Sequence, residues 1–90
     1  MKLSGKERGA LKSIFKIRPI DLKMGRKGIT ANFIKEAKLI ISKDKMIKIA
    51  LGKDKKERFL ESKELERVLE VELISCVGKN ASFYSLSENC

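Results

Sequence analysis

Ile20-Asp21-Leu22-Lys23-Met24-Gly25-Arg26-Lys27-Gly28-Ile29-Thr30 is the stretch on which the fold turns. Its first five residues alternate apolar and polar, the period of a half-buried strand. The alternation stops at two glycines three apart with two cations between them. Thr30 then offers an N-cap oxygen to a helix whose apolar positions are Phe33, Ile34, Ala37, Ile40 and Ile41. Strand, basic glycine turn and helix thus follow one another within a few residues, so the helix is expected to cross over to a further strand.

Outward from this stretch the pattern repeats. Upstream, Ser4-Gly5-Lys6-Glu7 has the form of a capping box, and Leu11, Ile14, Phe15 and Ile17 follow at helical spacing. Arg8, Lys12 and Lys16 fall on the other side of that helix, and Pro19 ends it. Downstream, Ser42 to Lys45 is a polar break before Met46-Ile47-Lys48-Ile49-Ala50-Leu51, an almost wholly apolar strand expected at the centre of the sheet. After a turn at 52–55, Glu57 to about Leu69 reads as a third helix, with Phe59 or Leu60, Leu65, Val68 and Leu69 toward the core. Val71 to Val77 and Ala81 to Ser85 form a hairpin about Gly78-Lys79-Asn80. The order is α-β-α-β-α-β-β, an α/β (α+β) single domain over residues 1–86 with a short frayed tail at 87–90.

Ninety residues allow one modest core and leave little room for a deep catalytic cleft. With five aromatic residues and no Trp, that core must be mainly aliphatic. The net charge of +9 is unevenly placed. Residues 1–56 carry 17 basic and 5 acidic side chains; residues 57–90 carry 4 and 7. Such asymmetry orients a protein on a polyanion. There is no His, and Cys76 and Cys90 do not form a C-x-x-C pair, so a zinc site is not expected and no metal or cofactor is implied. Cys76 lies in an apolar run and reads as a small core residue. No stretch has the length and apolarity of a signal peptide or membrane span, which gives a cytoplasmic expectation, without membrane partners.

The turn carries the chemistry. Glycine permits close approach by another backbone. A helix start supplies unpaired amide hydrogens and partial positive charge. Arg26 and Lys27 add two cations. Together Gly25, Arg26, Lys27 and Gly28 make a phosphate grip of the kind that GXXG loops provide in KH-type RNA-binding domains. Solvated lysines beside an ordinary strand-to-helix turn would look the same in isolation. Its placement and the basic half of the chain favour the grip. The turn lacks the longer Walker spacing, Ser and Thr have no evident base, and the acids of the third helix are spaced as a solvated face, so no enzyme activity and no small-molecule substrate are expected.

Leu3-Ser4-Gly5-Lys6-Glu7-Arg8, Leu11-Lys12, Arg18-Pro19-Ile20 and Met24-Gly25-Arg26-Lys27-Gly28-Ile29-Thr30, with Ile47-Lys48-Ile49 and Val77-Gly78-Lys79 before Phe83-Tyr84, resemble the CRM domain (chloroplast RNA splicing and ribosome maturation), in the stand-alone YhbY-like form. The resemblance runs from residue 3 to about 85. It implies a mixed four-stranded sheet with three helices, similar to the C-terminal domain of the third bacterial translation initiation factor. It also implies RNA binding through the GXXG loop and adjacent basic surface, with Lys6, Arg8, Lys12, Lys16 and Arg18 as further candidates.

Three roles are consistent with the residues. The first is a monomer that binds rRNA of the large-subunit precursor during ribosome biogenesis. The second is an intron-splicing cofactor or general RNA chaperone using the same loop. The third is a protein-interaction module whose acidic third helix, with Glu57, Glu61, Glu64, Glu66 and Glu70, docks a basic partner.

Overall fold

The computed structural model describes residues 4–25, 27–52 and 54–85. Helix α1 (Gly5–Ile17) is followed by β1 (Leu22–Lys23), α2 (Ala31–Asp44), β2 (Met46–Ala50), α3 (Lys55–Leu69), β3 (Val71–Val77) and β4 (Asn80–Ser85). The expected element order is the one observed. The strands lie in the order β1-β2-β4-β3. Only β1 and β2 run parallel, so the sheet is mixed.

Alternation along the strands gives each face its own core. Ile47 and Ile49 of β2 and Ala81 and Phe83 of β4 point to one face and are fully buried there. They pack with Phe33, Ala37 and Ile41 of α2 and Leu65 and Leu69 of α3. A fully buried aliphatic side chain of this size contributes about 1.5–3 kcal/mol. Helix α1 alone covers part of the opposite face, where Leu11 and Phe15 meet Ile74, Met46 and Tyr84.

The helix boundaries follow their caps. Ser4 and Glu7 form the reciprocal capping box of α1: the Glu7 N–H donates to Ser4 Oγ at 3.1 Å, and the Ser4 N–H to Glu7 Oε1 at 2.9 Å. The bond from the Ser4 amide holds the Glu7 carboxyl below its ordinary range. A carboxyl lowered on folding stabilises above its unfolded pKa and ceases to do so as pH falls through the folded value. Asp54 caps α3, which therefore starts two residues earlier than its sequence pattern suggests.

The structure corrects several expectations. β1 has two residues rather than five: it pairs with β2 alone, and only the Asp21 and Met24 amides extend the bonding beyond Leu22 and Lys23. In α1 only Leu11 and Phe15 are buried; Ile14 and Ile17 are exposed, since a lone helix on a sheet buries one narrow stripe and the last turn runs past it. In α3, Phe59 and Leu60 are exposed and Val68 is half-buried, while Ser62 occupies the buried position one turn before Leu65. The Ser62 hydroxyl is satisfied by donating to the Arg58 carbonyl at 2.8 Å. Cys76 is exposed rather than in the core. Cys76 lies on β3, the edge strand; a bulge between Leu73 and Ser75 puts Ile74 and Ser75 both on the α1 side and moves Cys76 to the face of Ala81. The tail 87–90 lies outside the described residues.

A polar cluster joins the exit of α1 to the sheet. Asp21 accepts from Arg18 Nε at 2.8 Å and Nη2 at 3.0 Å, and also from the Lys48 backbone N–H at 2.8 Å. Arg18 reaches Asp44, at the end of α2, at 2.7 Å. The Asp21 carboxylate, and then Asp44, raise the Arg18 pKa further above its ordinary value. Lys48 Nζ donates to the carbonyls of Phe15 and Arg18, each at 2.9 Å, placing a cation at the C-terminus of α1. Replacing Asp21 with Ala leaves the Lys48 amide without its acceptor and the Arg18 guanidinium with Asp44 alone. Urea unfolding should show a loss of about 2–3 kcal/mol, against less than about 0.5 kcal/mol for Ile17→Ala at an exposed site.

Candidate nucleic-acid interface

Because β1 and β2 are parallel and β4 runs against them, three loops gather at one end of the sheet. These are 24–30 after β1, 51–54 after β2, and the hairpin turn Gly78-Lys79. The Leu51 N–H donates to the Lys79 carbonyl at 2.8 Å and holds two of them together. Helices α2 and α3 both begin at this end, so two helix N-termini converge there. Lys27, Lys55, Lys56 and Lys79 are exposed on it.

The glycine turn is a closed loop. The Met24 N–H bonds to the Ala50 carbonyl at 2.9 Å, and the buried Met24 side chain anchors the strand end. The Gly28 N–H donates back to the Gly25 carbonyl at 3.0 Å. Gly28 has φ 72°, a left-handed conformation that suits glycine. Gly25 is different. Its φ is not in that region, and a Cβ built there would meet nothing within 4 Å. No contact among the described residues therefore requires Gly25 to lack a side chain. Arg26, between them, lies outside the described residues.

Helix α2 presents an uncompensated N-terminus to this turn. Thr30 Oγ1 accepts from the Phe33 N–H at 3.1 Å. The amides of Ala31 and Asn32 have no acceptor among the described residues. No acidic residue lies in the first turn of α2. Helix α3 contrasts with it: Asp54 caps it and Glu57 sits in its first turn, offsetting its dipole. Of the two helix starts, only that of α2 is left open to an anion.

The candidates on α1 separate into two groups. Lys6, Lys12 and Lys16 are exposed. Arg8 instead turns inward, donating to the Leu73 carbonyl at 2.9 Å and pairing with Glu72. Arg18 is held by Asp21 and Asp44. The structure thus gives both arginines a place in the scaffold and leaves the three lysines on the surface. Lys23, which the sequence pattern alone does not mark as a site residue, extends the lysine surface. It pairs with Ala50, which pairs with Asn80, and so lies on the α1 face between the glycine turn and α1. Its position in the alternation of β1 was the available signal.

A three-helix, mixed four-stranded domain with a basic glycine turn at one sheet end is the class that these observations define. The chain belongs to the CRS1 / YhbY (CRM) domain family, whose model matches residues 3–85. Its fold is similar to the solution structure of a hypothetical protein from Staphylococcus aureus, described as a suspected RNA binding protein. That structure is 22% identical in sequence, with a TM-score of 0.84 over 98% of this chain and 93% of the other. No curated protein matches.

Gly25→Ala should leave the melting temperature within about 2 °C of the parent and still weaken anion binding, whereas Gly28→Ala should cost about 1 kcal/mol of stability. Thermal melts beside phosphate-backbone binding assays check both.

Proposed function

We propose that this chain is an RNA-binding protein that holds an RNA backbone against the turn Gly25-Arg26-Lys27-Gly28 and the start of α2, without catalysis, during assembly of the large ribosomal subunit in the cytoplasm. The observation that carries the reading is the turn itself. Among the described residues nothing fills the space beside Gly25, it stands near an N-terminus with free amides and no acid, Lys27 is exposed in the turn, and Arg26 adds a second cation to its sequence. Membership of the CRM family and the description of the Staphylococcus aureus protein support it.

A phosphate fits this arrangement by simple electrostatics. The Ala31 and Asn32 amides donate to its oxygens, the α2 dipole favours its charge, and Lys27 neutralises it from the turn. Lys12, Lys16 and Lys23 extend the positive surface over the α1 face for neighbouring phosphates. Such contacts position RNA without reading its bases.

The acidic-helix alternative finds less support. Glu64 pairs with Arg67, and Glu66 holds both Lys63, at 3.4 Å, and the Leu73 N–H, at 2.7 Å. These carboxylates are occupied within the chain rather than presented to a partner. Splicing or chaperone roles would use the same turn and differ only in the RNA that is held.

Crosslinking and sequencing of RNA bound in cells, with Arg26→Glu/Lys27→Glu as control, should place reads on large-subunit rRNA and lose them in the control. Reads on introns would move the role to splicing. In vitro, affinity for single-stranded RNA should fall steeply with salt, and the double variant should flatten the logarithmic slope by about 0.7 for each phosphate that is no longer neutralised. An unchanged slope removes the turn from the interface.

A further inference from the structure

Helix α1 covers only the lower rows of its sheet face. Beyond it lie two further rows: Lys48, Ser82 and Ser75, and then Ala50, Asn80 and Val77, each aligned across neighbouring strands. Between these rows and α1 is a recess of about 230 Å³ whose lining includes Lys12, Phe15, Lys16, Ser75, Asn80 and Ser82.

Its floor is chemically unusual for this chain. Ser82 is buried, at 3% exposure, in the middle of a strand. Among the described residues the two buried polar side chains are Ser62 and Ser82. Ser62 is satisfied by its own helix, but the Ser82 hydroxyl makes no hydrogen bond to any described residue. Ala81 and Phe83 face the other core, so Ser82 faces the recess. Ser75, directly beside it, and Asn80, in the next row, also have no side-chain partner among the described residues. The Ser82 hydroxyl is not sealed from solvent, so with no partner among the described residues it is free to bond to a molecule that enters the recess.

We propose that this recess receives one base of single-stranded RNA and makes binding selective at that position. The inference rests on the RNA-binding reading above and adds base readout to its backbone contacts. The chemistry fits a nucleotide from three sides. The exposed Val77 gives an apolar wall for one face of a base, and the edge of the buried Phe15 closes the inner end. The Ser75 and Ser82 hydroxyls and the Asn80 carboxamide supply donors and acceptors for its edge. Lys12 and Lys16 stand on the α1 side, where the phosphates on either flank of an inserted base need cations. The volume is below the ~300 Å³ lower bound usual for small-molecule sites, in keeping with one inserted base. Lys23, on the same face at the end of β1, lies on the side of the recess toward the glycine turn, so one strand can run from the phosphate grip into it. Readout of unstacked bases by edge hydrogen bonds is how single-stranded RNA is distinguished.

The test is binding of fluorescent U8, A8 and C8 oligoribonucleotides, with amide chemical shifts followed on labelled protein. The parent should discriminate its best from its worst oligonucleotide by about tenfold. Ser75→Ala/Ser82→Ala should reduce that ratio below about threefold. Asn80→Ala, at a half-buried rim position, should do the same should the buried pair compromise folding. Lys27→Ala should weaken all three oligonucleotides alike and preserve the ratio. Amides of Ser75, Asn80 and Ser82 should shift on addition of the preferred oligonucleotide. If they stay still while Gly25 and Gly28 move, or if the ratio survives in both recess variants, the recess proposal is overturned and the backbone grip stands. If no oligonucleotide binds the parent, the RNA reading falls and the recess proposal with it.

Discussion

The Asp21 carboxylate is the point from which the site is positioned. It lies where the chain leaves Pro19 and enters β1, and it accepts from two nitrogens of Arg18 and from the backbone of β2. With only two paired residues, β1 has little sheet bonding of its own. Asp21 supplements that ladder with a charged acceptor, fixing β1 beside β2 in parallel register. The direction of β1 in turn delivers Met24 to the core and the glycine turn to the loop end of the sheet. Lys48, one residue from the buried Ile47 and Ile49, completes the junction by holding the last carbonyls of α1. The position of α1 then decides how much of the sheet face stays open.

Cationic residues divide by chemistry. A guanidinium is planar and makes several directed bonds at once; an ammonium is a compact, hydrated charge on a flexible stem. Arg8 and Arg18 use the first property to tie α1 to β3, and to β1 and α2. Lys12, Lys16, Lys23 and Lys27 keep the second at the surface, where a moving polyanion can be met without fixed geometry. The helices divide in a similar way. Acids at the start of α3 neutralise its dipole, and their absence from α2 leaves one open N-terminus beside the glycine turn.

Element order, caps and the central place of β2 were legible because each is written in local pattern: Ser4 with Glu7, Thr30 before Phe33, apolar runs bounded by glycine. The glycine turn was legible for the same reason. What local pattern cannot carry is which of several apolar or basic residues a neighbour reaches. Ile14 and Ile17 share the period of Leu11 and Phe15, but the sheet beneath α1 is narrower than that stripe. Arg8 and Lys12 both read as outward cations, and only the nearness of Glu72, distant in the chain, separates them. Cys76 sits in an apolar run but on the edge strand β3, and an edge position is not written in local pattern. Ser82 carries no local signal, because an isolated serine in a strand looks ordinary until both flanking strands are known.

The outer edge of β3 has a consequence for how copies of this protein coexist. At Leu73 the carbonyl is taken by Arg8 and the amide by Glu66, so the outward-pointing groups of that residue are already bonded. An unprotected strand edge is a template for another chain. Closing it from two helices at once places a side-chain gate midway along the longest strand of the sheet. A second strand adding at this point would have to displace both side chains.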